Sequence, residues 1–449
     1  MVDTIFALSS GAVPSGVAVI RLSGPHVREA LTALVGTVPA PRQSSLRKLK
    51  DPVSGDVIDE ALVLFFAGPA SFTGEDVAEL QCHGGRAVVA RLLEVLSGLK
   101  GHRPAEPGEF TRRAFDRGRM DLTEVEGLAD VIAAETEAQR KQAVRQMGGA
   151  LGELYEGWRK RLIHMRAMVE AEFDFADEED VPGSVADQVW QQAGELACDI
   201  HDHLEKSRSG ERLRSGLQVV LMGPPNAGKS SLLNSLAGRE VAIVTEEAGT
   251  TRDVLEVHLD LGGFPVTLVD TAGLREEAGR VEKEGIRRAQ DRGRAADLIL
   301  WAREPGGPSP EQAGDVFGPE LREDVSVWTV WTKADLETPP KQDSSGTIKE
   351  IRTSCESQGG VQPLMEALTG FASEMISLGE APLATRQRHR HFLKDCSDAL
   401  GRAVTLSHLP GELRAEELRQ AADALGRITG RIDVEDLLDV IFRDFCIGK

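Results

Sequence analysis

An octapeptide, GPPNAGKS at residues 223–230, carries the clearest chemical signal in the chain. It fits G-x-x-x-x-G-K-[ST], in which glycines let backbone N–H groups converge on phosphate oxygens. The apolar run LQVVLM precedes the motif and the helical pattern SSLLNSLAG follows it, so the loop meets a helix N-terminus, which attracts anions. Lys229 can reach the outer phosphates of a nucleotide, and the Ser230 hydroxyl can bind Mg²⁺. The sequence therefore predicts a nucleotide-binding site.

Two further segments supply groups for the phosphates and for Mg²⁺. The apolar run FPVTLVD ends at Asp270 and continues into TAG, which makes a D-x-x-G box. The Asp270 carboxylate can hold Mg²⁺ through water, and the Gly273 N–H can sense the γ-phosphate. Upstream, the segment GTTRD contains Thr251, whose hydroxyl can complete the Mg²⁺ shell. The order of these segments favours a GTPase.

The segment TKAD at residues 332–335 selects the base. Asp335 can accept hydrogen bonds from the N1–H and the 2-amino group of guanine, and adenine offers neither donor, so a carboxylate discriminates strongly. Lys333 can cover the base with its aliphatic stem. Ser354 and Cys355 follow another predicted strand, where guanine O6 is usually met by a backbone N–H. Together the segments predict GTP as the nucleotide.

Two positions depart from common GTPase patterns. Thr332 opens the guanine box where Asn is usual, a change expected to weaken base affinity but to leave the Asp335 contact. Leu274 follows the D-x-x-G box where many small GTPases place a Gln that orients the attacking water, and leucine cannot do so. Position alone does not choose among the glutamates that could replace it, which are Glu276, Glu277, Glu282 and Glu284.

Composition narrows the function classes. The formal net charge of -20, from 52 Lys+Arg against 72 Asp+Glu, argues against a general nucleic-acid sheath, so RNA contact would need a local basic patch. The five cysteines form no C-x-x-C pair, which favours reduced thiols in the cytoplasm over structural zinc. No apolar run approaches the length of a membrane span, and the N-terminal stretch lacks the pattern of a secretory signal.

Hydrophobic periodicity predicts an α/β plus all-α fold. Residues 1–118 alternate strand and helix patterns, as expected for a small α/β domain. Residues 119–213 and 381–449 are predominantly helical, whereas 214–380 show the strand and helix alternation of a doubly wound sheet. We therefore expect one helical domain that is split by insertion of the nucleotide domain.

Local signals place some of the helix ends. Thr123 and Glu126 have the S/T-x-x-E spacing of a capping box, which predicts a helix start at this point. Gly148 and Gly149 interrupt the long helical pattern that follows and should break or kink it. Gly262 and Gly263 lie between two strand patterns and predict a hairpin.

Over essentially its whole length the chain resembles the MnmE, or TrmE, family of tRNA-modification GTPases. The GTP motifs are shared with other GTPases, but GVAVIRLSG, SFTGEDVAELQCHGG, RPAEPGEFTRRAF, MDLTEVEGLADVI and the closing CIGK resemble segments far more specific to this family. The resemblance implies an N-terminal folate-binding and dimerising domain at 1–118. It also implies a helical domain at 119–213 and 381–449, split by a Ras-like P-loop GTPase domain at 214–380.

The resemblance also implies an activity and partners. Members of the family work as cytoplasmic homodimers and form a heterotetramer with an FAD-containing partner called MnmG or GidA. Hydrolysis of GTP depends on K⁺ and Mg²⁺, and the complex adds a carboxymethylaminomethyl or aminomethyl group to C5 of the wobble uridine in certain tRNAs. The one-carbon unit is associated with 5-formyltetrahydrofolate or a related reduced folate.

Site residues carried over from the resemblance fall into several sets. Glu282 would position the hydrolytic water. The K⁺ ligands would be Asn226, Thr245, the Glu247 backbone and Thr250. Mg²⁺ would be bound by Ser230 and Thr251. The folate residues would be Arg21, Glu79, Arg119 and Lys449. The GTP contacts would be Asn226, Ala227, Gly228, Lys229, Ser230, Ser231, Thr245, Glu246, Glu247, Ala248, Gly249, Thr250, Thr251, Asp270, Thr271, Ala272, Gly273, Thr332, Lys333, Ala334, Asp335, Ser354, Cys355 and Glu356.

Alternatives remain at two levels. A ribosome-assembly GTPase of the Era-like type shares the phosphate loop and the TRD segment, and a non-catalytic nucleotide switch would need no hydrolysis. Arg252 and Arg275 are rivals to K⁺ as the cation that answers charge in the transition state. A patch for tRNA is predicted on the basic helix face formed by Arg386, Arg388, Arg390 and Lys394.

Overall fold

The computed structural model describes most of the chain. The described residues are 3–174, 185–224, 226–239, 241–243, 256–270, 296–304, 325–336, 349–357, 360–376, 381–406, 410–432, 435–443 and 445–448. Within these ranges, none of the helices combines the length and the apolar character needed to cross a membrane. The chain divides into two compact units. One consists of Met1–Ala129, Gln146–Lys160 and Ala422–Lys449, and the other of Asp130–Arg145 and Arg161–Ala421.

The first unit contains a six-stranded sheet in the order β3-β4-β5-β2-β1-β6. Its strands are β1 (Thr4–Leu8), β2 (Ser15–Ser23), β3 (Ser45–Lys50), β4 (Val57–Phe66), β5 (Val77–Gly84) and β6 (His102–Pro104). All neighbouring strands are antiparallel except β1 and β6. Two helices, α1 (Val27–Val35) and α2 (Arg86–Gly98), complete the predicted α/β pattern.

Alternation along these strands separates a core face from an outer face. In β2, Ala18, Ile20 and Leu22 are buried in a core with residues of α1 and α2. Because successive side chains of a strand point to opposite faces, the intervening residues lie on the outer face. Arg21 of β2 and Glu79 of β5 are register partners on that face.

Helices dominate the segment between this sheet and the phosphate loop. They are α3 (Glu109–Asp116), α4 (Leu122–Ala133), α5 (Glu137–Met147), α6 (Ala150–Asp174) and α7 (Val185–Ser215). The break predicted at Gly148 and Gly149 is confirmed, since α5 ends and α6 begins on either side of the pair. Gly149 has a φ of 87°, a left-handed conformation that favours glycine.

The predicted capping box at Thr123 and Glu126 is wrong. The box is formed two residues earlier, where the Glu124 N–H donates to Asp121 Oδ1 at 2.9 Å and the Asp121 N–H donates to Glu124 Oε2 at 2.6 Å. Thr123 lies within the first turn of α4, fully buried, and its hydroxyl donates to Asp121 Oδ1. Asp caps helices as well as Ser or Thr does, and this start also buries Leu122.

The second unit contains a seven-stranded sheet in the order β13-β12-β11-β7-β10-β9-β8. Its strands are β7 (Leu217–Met222), β8 (Ala242–Ile243), β9 (Glu256–Leu261), β10 (Phe264–Asp270), β11 (Leu298–Arg303), β12 (Ser326–Trp331) and β13 (Lys349–Arg352). Strands β7 and β10–β13 pair in parallel, while β9 and β10 form the predicted antiparallel hairpin. Gly262 and Gly263 have φ values of 68° and 92° in its turn.

Helices accompany this sheet and close the chain. They are α8 (Lys229–Ala237), α9 (Gln362–Met375), α10 (Gln387–Thr405), α11 (Gly411–Thr429) and α12 (Glu435–Arg443). Apolar residues of α8 and α9 join those of the strands in a single core. The described residues thus contain two β-sheets, each accompanied by helices, and a further set of long helices.

Candidate functional site

The phosphate loop joins β7 to α8, as its sequence predicts. Gly223 has a φ of 142°, and a Cβ at this position would lie 2.1 Å from the Ala302 carbonyl oxygen of β11. Only glycine can therefore occupy the first loop position. Gly228, at a φ of 78°, is the N-cap of α8, so the helix begins at Lys229 with its N–H groups directed toward the loop.

The lysine of the loop is positioned by backbone carbonyls. Lys229 is only 7% exposed, and its Nζ donates to the carbonyl oxygens of Gly223 at 3.0 Å and Pro224 at 2.8 Å. Ser230 in the first turn of α8 and Asn226 in the loop are both exposed. Asn226 has a φ of 64°, an uncommon conformation for a residue other than glycine. The loop therefore presents one buried cation and two accessible oxygen-bearing side chains.

The guanine box lies beside the phosphate loop. It follows β12, and Lys333 Nζ donates to the Asn226 carbonyl oxygen at 3.2 Å and pairs with Glu304 at 2.8 Å. The Ala334 N–H donates to the Thr353 carbonyl oxygen at 3.1 Å, which brings the box next to the segment after β13. These contacts bring together the predicted phosphate and base residues at the carboxyl ends of parallel strands, where α/β folds bind ligands.

The residues after β13 are close enough to the guanine box for its charges to act on them electrostatically. Partial burial, followed by the carboxylates of Glu356 and Asp335, raises the pKa of the Cys355 thiol. Asp335 itself is exposed, and Ser354 is buried with its N–H donating to the Gly360 carbonyl oxygen at 3.1 Å. The Asp335 carboxylate therefore lies outside the core, in an exposed position that a base can reach.

Part of the predicted site lies outside the described residues. Asp270 ends β10, whose backbone pairs with β7 directly before the phosphate loop, but its side chain is not described. The predicted binding residues outside the described ranges are Thr245, Glu246, Glu247, Ala248, Gly249, Thr250, Thr251, Thr271, Ala272, Gly273, Glu282 and Lys449. The rival arginines Arg252 and Arg275, Leu274 and the alternative glutamates Glu276, Glu277 and Glu284 lie outside them as well.

The predicted folate residues Arg21 and Glu79 form an ion pair on the outer face of the first sheet. Arg21 Nη2 and Nε donate to Glu79 Oε1 at 3.0 and 3.2 Å. The guanidinium lies 5.7 Å from the ring centroid of Phe72 and 5.8 Å from that of Phe110. The side chains of Arg21 and Glu79 are 24% and 19% exposed. Phe110 is fully buried, so this cluster offers a planar cation, a carboxylate and the exposed ring of Phe72 to a flat heterocycle.

Arg119 and the residues just before Lys449 lie near the same sheet, while Lys449 itself is outside the described residues. The Arg119 side chain packs beside Gly74, where a Cβ would lie 3.5 Å from Arg119 Cγ, and Gly74 is two residues from Phe72. The chain before Lys449 docks near the end of β1, because Ser9 Oγ donates to the Gly448 carbonyl oxygen at 2.8 Å. The structure thus brings Arg119 toward the Arg21 cluster and carries the C-terminal segment to the same unit.

A buried carboxylate that the sequence analysis missed holds the loop carrying Phe72. Glu75 is 8% exposed and accepts hydrogen bonds from Arg113 Nη1 and Ser23 Oγ, both at 3.0 Å. Arg117 pairs with its other oxygen. The available signal was the spacing of Arg113 and Arg117, which puts two guanidiniums four residues apart on one helix face.

The predicted basic face of α10 is partly occupied by ion pairs. Arg386 donates to Asp130 at 2.9 Å and is 19% exposed, and Arg390 pairs with Glu211 of α7 at 3.1 Å. Lys394 is exposed. Arg386, which directly precedes α10, and Arg390 within it therefore both pair with acidic side chains of neighbouring helices, and the tRNA patch on this face stays a prediction.

Comparison with known proteins identifies the family. Two family models match: the GTP-binding protein TrmE N-terminus over residues 4–119, and the MnmE helical domain over residues 122–446. The tRNA modification GTPase MnmE of Parvibaculum lavamentivorans is 54% identical over 452 residues, with 100% of both chains covered. That of Brucella anthropi is 52% identical over 447 residues, covering 100% of this chain and 98% of the relative.

A solved structure, the G domain of the T. maritima FeoB iron transporter, is 25% identical over 35% of this chain and 98% of that chain, with a TM-score of 0.27. The full-length relatives and the two family models carry the assignment. The chain belongs to the MnmE family of tRNA modification GTPases.

Proposed function

We propose that this protein is a K⁺-dependent GTP hydrolase that acts with an FAD-containing partner of the MnmG or GidA type. The complex would add a carboxymethylaminomethyl or aminomethyl group to C5 of the wobble uridine in certain tRNAs. The observation that carries the GTPase part is the contact between Lys333 of the guanine box and Asn226 of the phosphate loop, which joins base and phosphate recognition. The Era-like alternative is not favoured, because the TrmE N-terminus and MnmE helical models both match.

The described residues would supply the nucleotide contacts of the phosphate loop and the guanine box. Lys229 would exchange its loop carbonyls for the outer phosphates, with the N–H groups at the start of α8 completing the cradle. Asp335 would accept from the guanine edge. Ser230, an exposed hydroxyl in the first helical turn, would bind Mg²⁺ together with Thr251. Mg²⁺ in this position neutralises charge on the phosphate oxygens.

We assign an alkali-cation site to the exposed face of the phosphate loop. Asn226 presents an amide oxygen there, a hard ligand of the kind such ions prefer, and we assign the remaining ligands to Thr245, the Glu247 backbone and Thr250. K⁺ bound at this point would supply positive charge where the transition state gathers negative charge. Glu282 would position the hydrolytic water, because Leu274 cannot.

The Arg21 cluster supports a reduced folate. Glu79 is half-buried, fixed by Arg21, and can accept from the N–H and amino groups of a pterin. Phe72, 37% exposed beside the guanidinium, offers a ring face to the same heterocycle. Arg119 and Lys449 would meet the carboxylates of the glutamyl tail. The residues present therefore fit the group that we assign to them.

The outer face of the same sheet supports a homodimer. Leu46 of β3 and Leu62 of β4 are register partners, and they are 58% and 42% exposed. Leu62 is also the register partner of Gln81 in β5, which continues the row toward β2. Because this apolar row is continuous with the Arg21 cluster, we infer that a second copy of the chain covers it and flanks the folate.

Mass spectrometry of wobble nucleosides tests the proposed function. In tRNA from cells lacking this protein, the C5-modified wobble uridines should disappear and the unmodified or partly modified forms should accumulate. Re-expression of the wild-type chain should restore them, whereas a Lys229→Ala variant, which lacks the phosphate-loop cation, should not. An unchanged nucleoside profile in the deletion strain would refute the role in tRNA modification.

A further inference from the structure

Thr332, the first residue of the guanine box, makes a buried bond to the phosphate loop. It is 3% exposed, and its Oγ1 donates to the Ala227 carbonyl oxygen at 2.8 Å. The same hydroxyl lies 3.2 Å from the Arg303 carbonyl oxygen at the end of β11. One side chain therefore links β12, β11 and the residue that directly precedes Gly228.

Lys333 makes another hydrogen bond between the guanine box and the phosphate loop, and the two bonds differ in environment. The other contact, from Lys333 to the Asn226 carbonyl oxygen, belongs to an ammonium that is 41% exposed and shared with Glu304. Exposed charged contacts contribute little because water competes for both partners. A buried hydrogen bond is costly to lose, because the remaining acceptor is then cut off from water. The Thr332 bond is therefore the stronger constraint.

The carbon atoms of Thr332 also pack against the loop. A Cβ placed on Gly228 would lie 3.5 Å from Thr332 Cβ and 3.8 Å from its Cγ2, so the branched side chain lies beside the face of Gly228 that carries no side chain. Threonine thus combines a donor for Ala227 with a methyl group that fills the adjacent space. A longer Asn side chain is not required to reach the loop at this separation.

The base-recognition residue is fixed from both sides by this arrangement. Asp335 lies three residues after Thr332, and the intervening Ala334 N–H bonds to the Thr353 carbonyl oxygen at 3.1 Å. The Thr332 N–H in turn donates to the Arg303 carbonyl oxygen at 2.9 Å. Backbone bonds alone orient the box against β11 and β13, and the Thr332 hydroxyl is what orients it against the phosphate loop.

We propose that Thr332 is a positioning residue that sets the distance between Asp335 and the phosphate loop, so that Thr in place of the usual Asn retains guanine-nucleotide affinity. This inference rests on the proposed function, since it assumes that GTP and GDP bind at the phosphate loop. It replaces the expectation from sequence that Thr332 weakens base binding. The bond acts in the protein before the nucleotide arrives, so its loss should appear mainly as faster nucleotide release.

Two substitutions in the full-length chain isolate the hydroxyl. Thr332→Val keeps the branched shape and removes the donor, and Thr332→Ser keeps the donor. In stopped-flow measurements, a fluorescent GDP analogue should dissociate from the Thr332→Val variant about tenfold faster than from wild type. This change in rate is equivalent to about 1.4 kcal/mol. Thr332→Ser should remain within about twofold of wild type, because the hydroxyl to Ala227 is retained.

A matched control is available in β12, the strand that directly precedes Thr332. The Thr329 hydroxyl in β12 is also buried, and within the described part of the chain it has no hydrogen-bond partner. Thr329→Val makes the same chemical change without touching the loop and should leave GDP release unchanged. The melting temperature of each nucleotide-free variant is measured alongside, because a purely structural role would lower it without changing nucleotide release.

The outcomes separate this inference from the proposed function. Wild-type release rates in Thr332→Val, or equal acceleration in Thr332→Val and Thr332→Ser, would overturn the role of the hydroxyl. A lower melting temperature with unaltered release would do the same. If the wild-type protein itself bound no guanine nucleotide, the proposed function would fail instead. Faster release confined to Thr332→Val supports the positioning role.

Discussion

At the scale of single residues, the nucleotide site depends on polar groups held in unequal environments. Lys229 is buried and bonded to backbone carbonyls, whereas Asp335 is exposed at the edge of the site. The buried lysine needs rigid geometry to meet phosphates, and the exposed carboxylate needs access to a base. In the other unit, Arg21 and Glu79 combine both features, since each is partly buried and each fixes the other.

The carboxylate of Asp335 should determine which purine is bound. Asp335→Asn replaces an acceptor with a donor, so the affinity for GTP should fall by at least about tenfold, as expected when a buried polar group of the ligand loses its partner. Xanthosine triphosphate, which carries an acceptor in place of the 2-amino group, should bind the variant better than it binds wild type. Equilibrium titration with both nucleotides measures this. An equal loss for both would mean that Asp335 does not contact the base.

The Arg21 cluster should bind a reduced folate independently of GTP. Arg21→Ala and Glu79→Ala should each weaken the binding of 5-formyltetrahydrofolate, measured by calorimetry, by about tenfold or more, because each removes a charge-assisted contact. Intrinsic GTP hydrolysis should remain at the wild-type rate. Arg47→Ala removes an exposed arginine from β3 of the same sheet and serves as the control. Unchanged folate binding in both cluster variants would eliminate the site.

At the scale of elements, buried polar residues decide where helices begin and how they pack. Asp121 caps α4 through a reciprocal pair of bonds with Glu124. Burial, which disfavours the charged form, raises the pKa of the Glu124 carboxyl. Between α7 and α10, His203 and His389 are both buried, at 8% and 0% exposure. A histidine buried between two helices should make the stability of the pair depend on pH.

The stability of the α7–α10 pair should fall in mild acid. Burial, together with nearby His389 and Lys206, lowers the pKa of His203 from 6.5 to about 4. In the unfolded chain His203 is protonated near pH 6.5, whereas in the native protein it is protonated only near pH 4. The free energy of unfolding therefore decreases as pH falls from about 6.5 to about 4. The decrease from this residue approaches about 3 kcal/mol and levels off below the native pKa.

Urea unfolding between pH 7 and pH 4 measures this contribution. His203→Gln cannot titrate, so its free energy of unfolding should change less over this range than that of wild type. His201→Gln, at an exposed position of the same helix, should keep the wild-type dependence. Identical pH slopes in wild type and His203→Gln would show that His203 is not the group responsible.

At the scale of the whole molecule, the proposed activity requires association of chains. The outer sheet face presents the apolar row of Leu46 and Leu62 next to the Arg21 cluster, which we assign to a dimer.

Charge on the apolar row should dissociate the dimer. Leu62→Lys buries an ammonium in the proposed interface without a partner, a change that costs several kcal/mol in such settings. Light scattering after gel filtration should therefore report a dimer for wild type and a monomer for the variant. Val53→Lys, at a turn position that is 94% exposed, should remain dimeric. A dimeric Leu62→Lys protein, or a monomeric wild type, would contradict the assignment.

Hydrolysis of GTP should be faster in KCl than in NaCl at equal ionic strength. Asn226→Ala should lose most of that difference, and because Lys333 bonds to the Asn226 backbone, the variant keeps the contact with the guanine box. Glu282→Ala should slow hydrolysis in KCl while nucleotide affinity is largely retained. Phosphate-release assays in both salts measure these rates. Equal wild-type rates in the two salts, with loss of activity in Arg275→Ala, would favour the arginine alternative.

Local features of the fold follow from the order of residues along the chain. The glycines of the phosphate loop, the guanine box and the strand patterns depend on neighbours along the chain, so their identities predict strand β7, helix α8 and the β9–β10 hairpin. The break at Gly148 and Gly149 is local in the same sense. The capping box was misplaced because Thr123 and Asp121 both satisfy the local rule, and only the packing of Leu122 and Thr123 into the core chooses between them.

Contacts between distant segments depend on how the strands and helices are arranged in space. Thr332 meets Ala227 because parallel β11 lies between β7 and β12, an order that no local pattern specifies. Arg21 meets Glu79 because the register of β2 and β5 sets them opposite one another. Arg386 belongs to a basic run in the sequence, and only the arrangement of neighbouring helices gives it Asp130 as a partner. Hydrophobic periodicity assigns a residue to one face of a helix or strand, but the residues that pack against that face depend on the tertiary arrangement of the elements.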